Sequence, residues 1–202
     1  MNTVPFDWMA PEDAGQPLWV FAYGSLIWHP GFPFEEALPA RLQGWHRAMC
    51  ILSVHYRGQP DMPGLVLGLD RGGCCRGLAY RVAASEAVAV CRYLHEREMI
   101  NGVYQPRVVP VNLADGRRVA GYVFIARRDH SQYAGPLGQD QAARLIRQGC
   151  GLRGSSRDYL ASTVAHLDAL GLRDQALHRL LRHVDADQEN QGAIGEIAQA
   201  VR

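Results

Sequence analysis

The sequence predicts an α+β domain with a mostly antiparallel, barrel-like sheet and helices packed outside it. Three observations lead there. From Trp19 to Ala126 the chain is mostly short bulky runs separated by glycine turns, the signature of strands. One helical pattern, residues 85–99, is inserted among them. Beyond residue 138 the apolar residues change to helical spacing. Strands first and helices later favour an α+β arrangement over alternating βα units.

The elements follow in order. Residues 1–17, with Pro5, Pro11, Gly15 and Pro17, read as an irregular lead-in. Residues 19–23, Trp-Val-Phe-Ala-Tyr, are bulky and alternate, so they read as a buried strand. That strand breaks at Gly24-Ser25, and His29-Pro-Gly-Phe-Pro33 is loop. Residues 38–53 read as one or two strands, with Gly44 a bend or bulge. Residues 55–64 are a polar loop. Residues 64–69 and 75–82 read as two strands of a hairpin around Asp70-Arg-Gly-Gly73.

Ser85 is the expected cap of the helix that runs to about Met99, with Glu86 in its first turn. Residues 103–113 and 117–126 form a second hairpin around Ala114-Asp115-Gly116. Helices are expected at 139–148, at 156–170 with Gly171 as the stop, and at 173–184. The tail, 185–202, is polar up to Ile194. The expected division is therefore a lead-in (1–17), one domain (18–184) and a tail (185–202).

Composition narrows the function. The chain has 202 residues, and its net charge of +1 gives no footprint for nucleic acid or an anionic membrane. All 21 basic residues are arginines, which excludes lysine Schiff-base chemistry. The five cysteines are scattered and include no C-x-x-C pair, arguing against a disulfide scaffold and a structural zinc site. The start lacks a signal-peptide pattern and no apolar run reaches membrane-spanning length, so a reducing cytoplasm is the expected compartment.

Two places invite chemistry. The turn after the first strand exposes backbone N–H groups in a small arc that can hold a carboxylate or an oxyanion; the alternative is an ordinary strand and turn. On the helix at 85–99, Val88, Cys91 and Leu94 share a face that Glu98 continues. A carboxylate on a buried stripe near a helix C-terminus is expected to have a raised pKa, as a general base near neutrality requires. The competing reading is an ion pair with Arg97 or with an arginine from the sheet. Glu96 points elsewhere and reads as solvated.

The other residues are less specific. The eight histidines offer no i,i+4 ligand pair. His46 and His95 read as packing or hydrogen-bonding residues, and His178 and His183 as exposed. Cys74-Cys75 reads as a strand start, with a thiol nucleophile as the alternative. Tyr133 and Tyr159 are either core residues with satisfied hydroxyls or pocket residues.

Taken together, Phe21-Ala-Tyr-Gly-Ser-Leu-Ile-Trp28, Gly44-Trp-His-Arg-Ala-Met-Cys50, Arg76-Gly-Leu-Ala-Tyr-Arg-Val82 and Arg97-Glu-Met-Ile-Asn-Gly-Val-Tyr104 resemble the ChaC-type γ-glutamylcyclotransferases. Tyr133-Ala-Gly-Pro136 and Gly154-Ser-Ser-Arg-Asp-Tyr-Leu160 extend the likeness, which spans roughly residues 18–183. The resemblance implies a small β-barrel flanked by helices. It implies glutathione as the small-molecule substrate, cleaved to 5-oxoproline and cysteinylglycine without metal or organic cofactor. Glu98 matches the family's catalytic glutamate. Tyr23, Gly24, Ser25 and Leu26 match the segment that holds the γ-glutamyl group, and Tyr104 and Tyr159 match tyrosines near the pocket. Ser156 departs from the family's usual asparagine, which bears on the C-terminal side of the pocket. Other γ-glutamyl amino acids or amines as substrates, and a non-catalytic γ-glutamyl-binding protein, are the alternatives. No nucleic-acid or membrane partner is expected, and the oligomeric state is left open.

Overall fold

The computed structural model describes residues 15–186. They fall into two compact units, the first made of 15–48 and 68–133, the second of 49–67 and 134–186.

The first unit carries most of a closed five-stranded barrel, in the order β1-β3-β2-β4-β5. Strand β1 spans Leu18–Ala22. It is short and almost wholly buried because it is paired on both edges. It runs antiparallel to β3 (Gly64–Val82), with Leu18 opposite Val82 and Ala22 opposite Leu78. It runs parallel to β5 (Arg118–Ala126), with Trp19 opposite Gly121 and Val20 opposite Tyr122. Strand β4 (Tyr104–Leu113) forms the expected hairpin with β5, with Tyr104 opposite Ala126. Strand β2 (Glu36–Ser53) pairs with β4, with Ala40 opposite Leu113. Val20, Phe21, Leu42, Leu69 and Val123 lie inside, each no more than 1% exposed. Full closure removes the sheet edges that would otherwise need protection.

The reading of residues 64–82 as a hairpin is corrected. The stretch is one continuous strand. Gly72 (φ +98°) and Gly73 (φ +70°) adopt left-handed backbone but bend the strand instead of reversing it. The His46 ring of β2 is hydrogen-bonded to the Gly72 carbonyl across this bend. Gly44, at φ +81°, is the bend expected in β2, which is also a single strand.

Helix α1 spans Ala87–Glu98 and buries Ala87, Val90, Cys91 and Leu94. Two expectations fail here. Its N-cap is Glu86, with no side-chain cap bond, rather than Ser85. Val88 is 45% exposed and does not belong to the buried face; Ala87 and Val90 take that role. Burial pushes the Cys91 thiol up to about 12, so this cysteine is a core residue at neutral pH.

In the second unit, α2 (Gln139–Gln148) leads through two short paired strands, β6 (Cys150–Gly151) and β7 (Gly154–Ser155), into α3 (Ser156–Ala169). The Ser155 hydroxyl caps α3 by accepting the Asp158 amide at 3.0 Å. A last helix, α4, covers 175–186, close to the expected 173–184. Residues 1–14 of the lead-in and 187–202 of the tail lie outside the described residues. Among the described residues no helix is long and apolar enough to cross a membrane.

Candidate active site

Strand β1 runs directly into the turn singled out by the sequence. Tyr23 is 8% exposed, and a 3-10 turn follows over Ser25–Ile27. The turn's own hydrogen bonds use the amides of Ile27, Trp28 and His29, donated to the carbonyls of Gly24 and Ser25. The amides of Gly24, Ser25 and Leu26 play no part in those bonds. The first N–H groups of a helical turn lack partners within it and point outward together.

The barrel holds the backbone of this turn from behind. The buried Arg47 guanidinium on β2 donates to the Tyr23 carbonyl at 2.6 Å and to the Arg76 carbonyl at 2.6 Å. The Tyr80 hydroxyl on β3 lies 3.2 Å from the Leu26 carbonyl and 2.9 Å from that of Ile27. Burial pushes the Tyr80 phenol up from its ordinary value, so it stays a neutral donor. Side chains from two strands thus fix three carbonyls of the turn, which leaves its amide side with a set direction.

Glu98 is the last residue of α1, and its side chain is 19% exposed. The ion pair with Arg97 weighed from the sequence is present: Arg97 Nε lies 3.0 Å from Glu98 Oε1. The same guanidinium donates from Nη2 to Ser25 Oγ at 3.1 Å. Its Nη1 donates to the His29 carbonyl at 2.6 Å and to the Tyr93 hydroxyl at 2.9 Å. One side chain therefore joins the turn after β1 to the carboxylate at the end of α1. Tyr23, Gly24, Ser25, Leu26 and Glu98 all belong to the first unit, and Arg97 links Ser25 to Glu98 directly.

Tyr104 also lies in the first unit, as the first residue of β4 beyond the turn that follows Glu98. Tyr159 lies on α3 of the second unit, 8% exposed, with the Arg57 guanidinium over its ring at 5.5 Å. Burial lowers the Arg57 pKa, while the neighbouring Tyr159 and Asp158 oppose that shift. Ser156 is fully buried; its hydroxyl accepts the Leu65 amide at 3.0 Å and donates to the Leu65 carbonyl. Tyr133 donates its hydroxyl to Asp70 at 2.9 Å.

The remaining candidates sort plainly. Glu96 is exposed, as expected. Cys75 is buried, and Cys74 accepts a hydrogen bond from Arg41. His178 and His183 are only partly exposed, each paired with an aspartate, Asp168 and Asp140 respectively. Sequence reasoning missed Arg97, Arg47 and Tyr80 as supports of the turn. All three stand in segments that carry the family likeness: Arg47 within Gly44–Cys50, Tyr80 within Arg76–Val82, and Arg97 next to Glu98. Nothing in their spacing marked them.

A family model described as ChaC-like protein matches residues 18–187. The glutathione-specific γ-glutamylcyclotransferase of Escherichia coli (strain K12) is 38% identical over 165 residues, covering 82% of this chain and 71% of that one. The human glutathione-specific γ-glutamylcyclotransferase 1 is 30% identical over 182 residues, covering 87% of this chain and 82% of that one. A crystal structure of a γ-glutamyl cyclotransferase specific to glutathione from yeast superposes with a TM-score of 0.77 at 23% identity, covering 84% of this chain and 96% of that one. At that identity the superposition speaks for a shared fold.

Proposed function

The chain belongs to the ChaC-like protein family, and from that premise we propose that it is a γ-glutamylcyclotransferase that degrades glutathione to 5-oxoproline and cysteinylglycine. The observation that carries the reading is the meeting of two groups: a largely buried carboxylate, Glu98, and a turn with braced carbonyls, Tyr23–Leu26, joined through one guanidinium.

The reaction needs no outside nucleophile. The substrate's own α-amine attacks its γ-carbonyl carbon and closes a five-membered ring. Holding those two ends together supplies much of the rate. The amine is mostly protonated near neutrality, so a base must take a proton, and Glu98 has that role. The new C–N bond places negative charge on the carbonyl oxygen. When that intermediate collapses, the bond to the cysteinyl nitrogen breaks, and Glu98 returns the proton to the leaving nitrogen. No water is consumed.

The amides of Gly24, Ser25 and Leu26 bind the α-carboxylate or the developing oxyanion. Tyr104, in the same unit as Glu98, contributes to the substrate pocket. The compartment is the reducing cytoplasm, in keeping with an odd, scattered set of five cysteines.

The test is incubation of the purified protein with reduced glutathione, with and without a chelator, and detection of both products. Their appearance, unchanged by chelation, is the expected result. Folded protein that yields neither product overturns glutathione as substrate; a panel of γ-glutamyl amino acids and amines then separates another cyclotransferase from a binding protein. Glu98→Gln is expected to lower turnover by ~10²–10⁴-fold with an unchanged circular dichroism spectrum. Full activity in that variant overturns the role of Glu98.

A further inference from the structure

We propose that Arg97 is a positioning residue for the cyclisation, a bracket that sets Glu98 against the Tyr23–Leu26 turn. The proposal rests on the reading of Glu98 as base and of that turn as the substrate holder.

The geometry carries it. The Arg97 side chain is 10% exposed, so its charge is largely withdrawn from water. Each of its three nitrogens meets a partner. Nε meets Glu98 Oε1 at 3.0 Å, Nη2 meets Ser25 Oγ at 3.1 Å, and Nη1 meets the His29 carbonyl at 2.6 Å. Nη1 also meets the Tyr93 hydroxyl at 2.9 Å and the Pro30 carbonyl at 3.3 Å. Gly31 leaves room for the Tyr93 hydroxyl, which a Cβ there would approach to 2.1 Å, and the Tyr93 ring packs edge-on against Phe32, with centroids 6.4 Å apart.

An exposed ion pair is held loosely and contributes little. Arg97 differs because a planar fork with five N–H donors is anchored on the loop after β1 at two corners and reaches the carboxylate with the third. A lysine ammonium is a point charge on a flexible stem and cannot hold the same separation. Small displacements at a reacting centre are costly: a misplacement of ~1 Å can lower the rate about 10²-fold. Sequence alone shows adjacent charges at a helix end; the structure shows the second of them held by the first.

The experiment measures kcat and KM with reduced glutathione for the unmodified protein, Arg97→Gln, Arg97→Lys, and Arg97→Gln combined with Glu98→Asp. Glu98→Asp keeps a carboxylate but withdraws it from Arg97, and it is measured alone as the reference. In Arg97→Gln, kcat is expected to fall about 10²-fold, with a smaller change in KM. Arg97→Lys is expected to remain at least about ten-fold below the unmodified protein, since charge without the fork does not restore the geometry. In the Glu98→Asp background, Arg97→Gln should cost only a few-fold, because groups that act as a unit are non-additive.

Restoration of full kcat by Arg97→Lys overturns the bracket. So does an undiminished loss from Arg97→Gln in the Glu98→Asp background, which would mean a general structural effect. If Arg97→Gln does not fold, Arg97→Lys alone and with Glu98→Asp decides by the same criteria. Failure of the underlying reading shows in the unmodified protein, as absence of both products; failure of the bracket shows only in the variants.

Discussion

Ser156 shows how much one buried hydroxyl can carry. It is 0% exposed, and it satisfies both the amide and the carbonyl of Leu65, which is also 0% exposed. Ser156→Ala removes both partners and leaves two backbone groups without them, at a cost of ~1–3 kcal/mol for such a loss. Urea unfolding should show a lower midpoint with an unchanged slope. An unchanged midpoint would mean that water or a backbone shift replaces the hydroxyl. The sequence pointed at Ser156 for another reason, as a departure from an asparagine near a pocket. Its partner lies 91 residues away, and local spacing carries no information about such a contact. Glu98 was more legible, because a carboxylate four residues beyond Leu94 on a buried stripe breaks a local pattern. Arg97 was not, because an arginine in the last turn of a helix is what the dipole favours anyway.

At the level of elements, the strand that was misread shows what glycine pairs signal. Asp70-Arg-Gly-Gly73 supplies left-handed backbone, which a hairpin turn and a strand bend both need. Only the tertiary pairing decides between them: β1 takes the far end of β3, from Leu78 to Val82, and draws it on as one strand. The hairpin of β4 and β5 was legible because Ala114-Asp-Gly116 lies between two runs of matching length. Gly77 marks the next consequence of β3 continuing past its bend as one strand. A Cβ there would lie 2.2 Å from the Ala22 carbonyl oxygen and 3.0 Å from the Phe21 ring. Gly77→Ala therefore pushes the end of β1 outward, at ~1–3 kcal/mol for such overpacking. Because Ala22 immediately precedes Tyr23 and Gly24, the displacement passes into the turn, and KM for glutathione should rise several-fold. A lowered melting temperature with unchanged KM would show that Arg47 and Tyr80 hold the turn independently of β1.

For the whole molecule, the sequence foretold strands, helices and their order, but not the parallel pairing of β1 with β5 that closes the barrel. That pairing joins Trp19 to Gly121, and hydrophobic periodicity assigns faces to a strand without naming its neighbours. The acid response of the molecule follows from another long-range cluster in the first unit. Asp70 is 5% exposed. Burial pushes its carboxyl up, but the Arg128 side chain, the Arg71 amide and the Tyr133 hydroxyl, at 2.7, 2.8 and 2.9 Å, together bring it below the usual carboxylate range. A carboxyl depressed in the folded state stabilises fully above its unfolded pKa, about 3.9, and loses that contribution as pH falls through the folded value. Asp115, held by the Arg117 amide, and Asp129, held by the Arg127 side chain, shift the same way but lie in solvent, where such pairs are screened. Stability to urea should therefore carry no Asp70 contribution to its pH dependence from pH 7 to 5 and should fall below about pH 4. Asp70→Asn should be less stable at pH 7 and show a shallower decline below pH 4, because the group that binds the extra proton on unfolding is gone. An equal slope in both proteins would assign the acid response to other carboxylates and leave Asp70 as a hydrogen-bond acceptor alone.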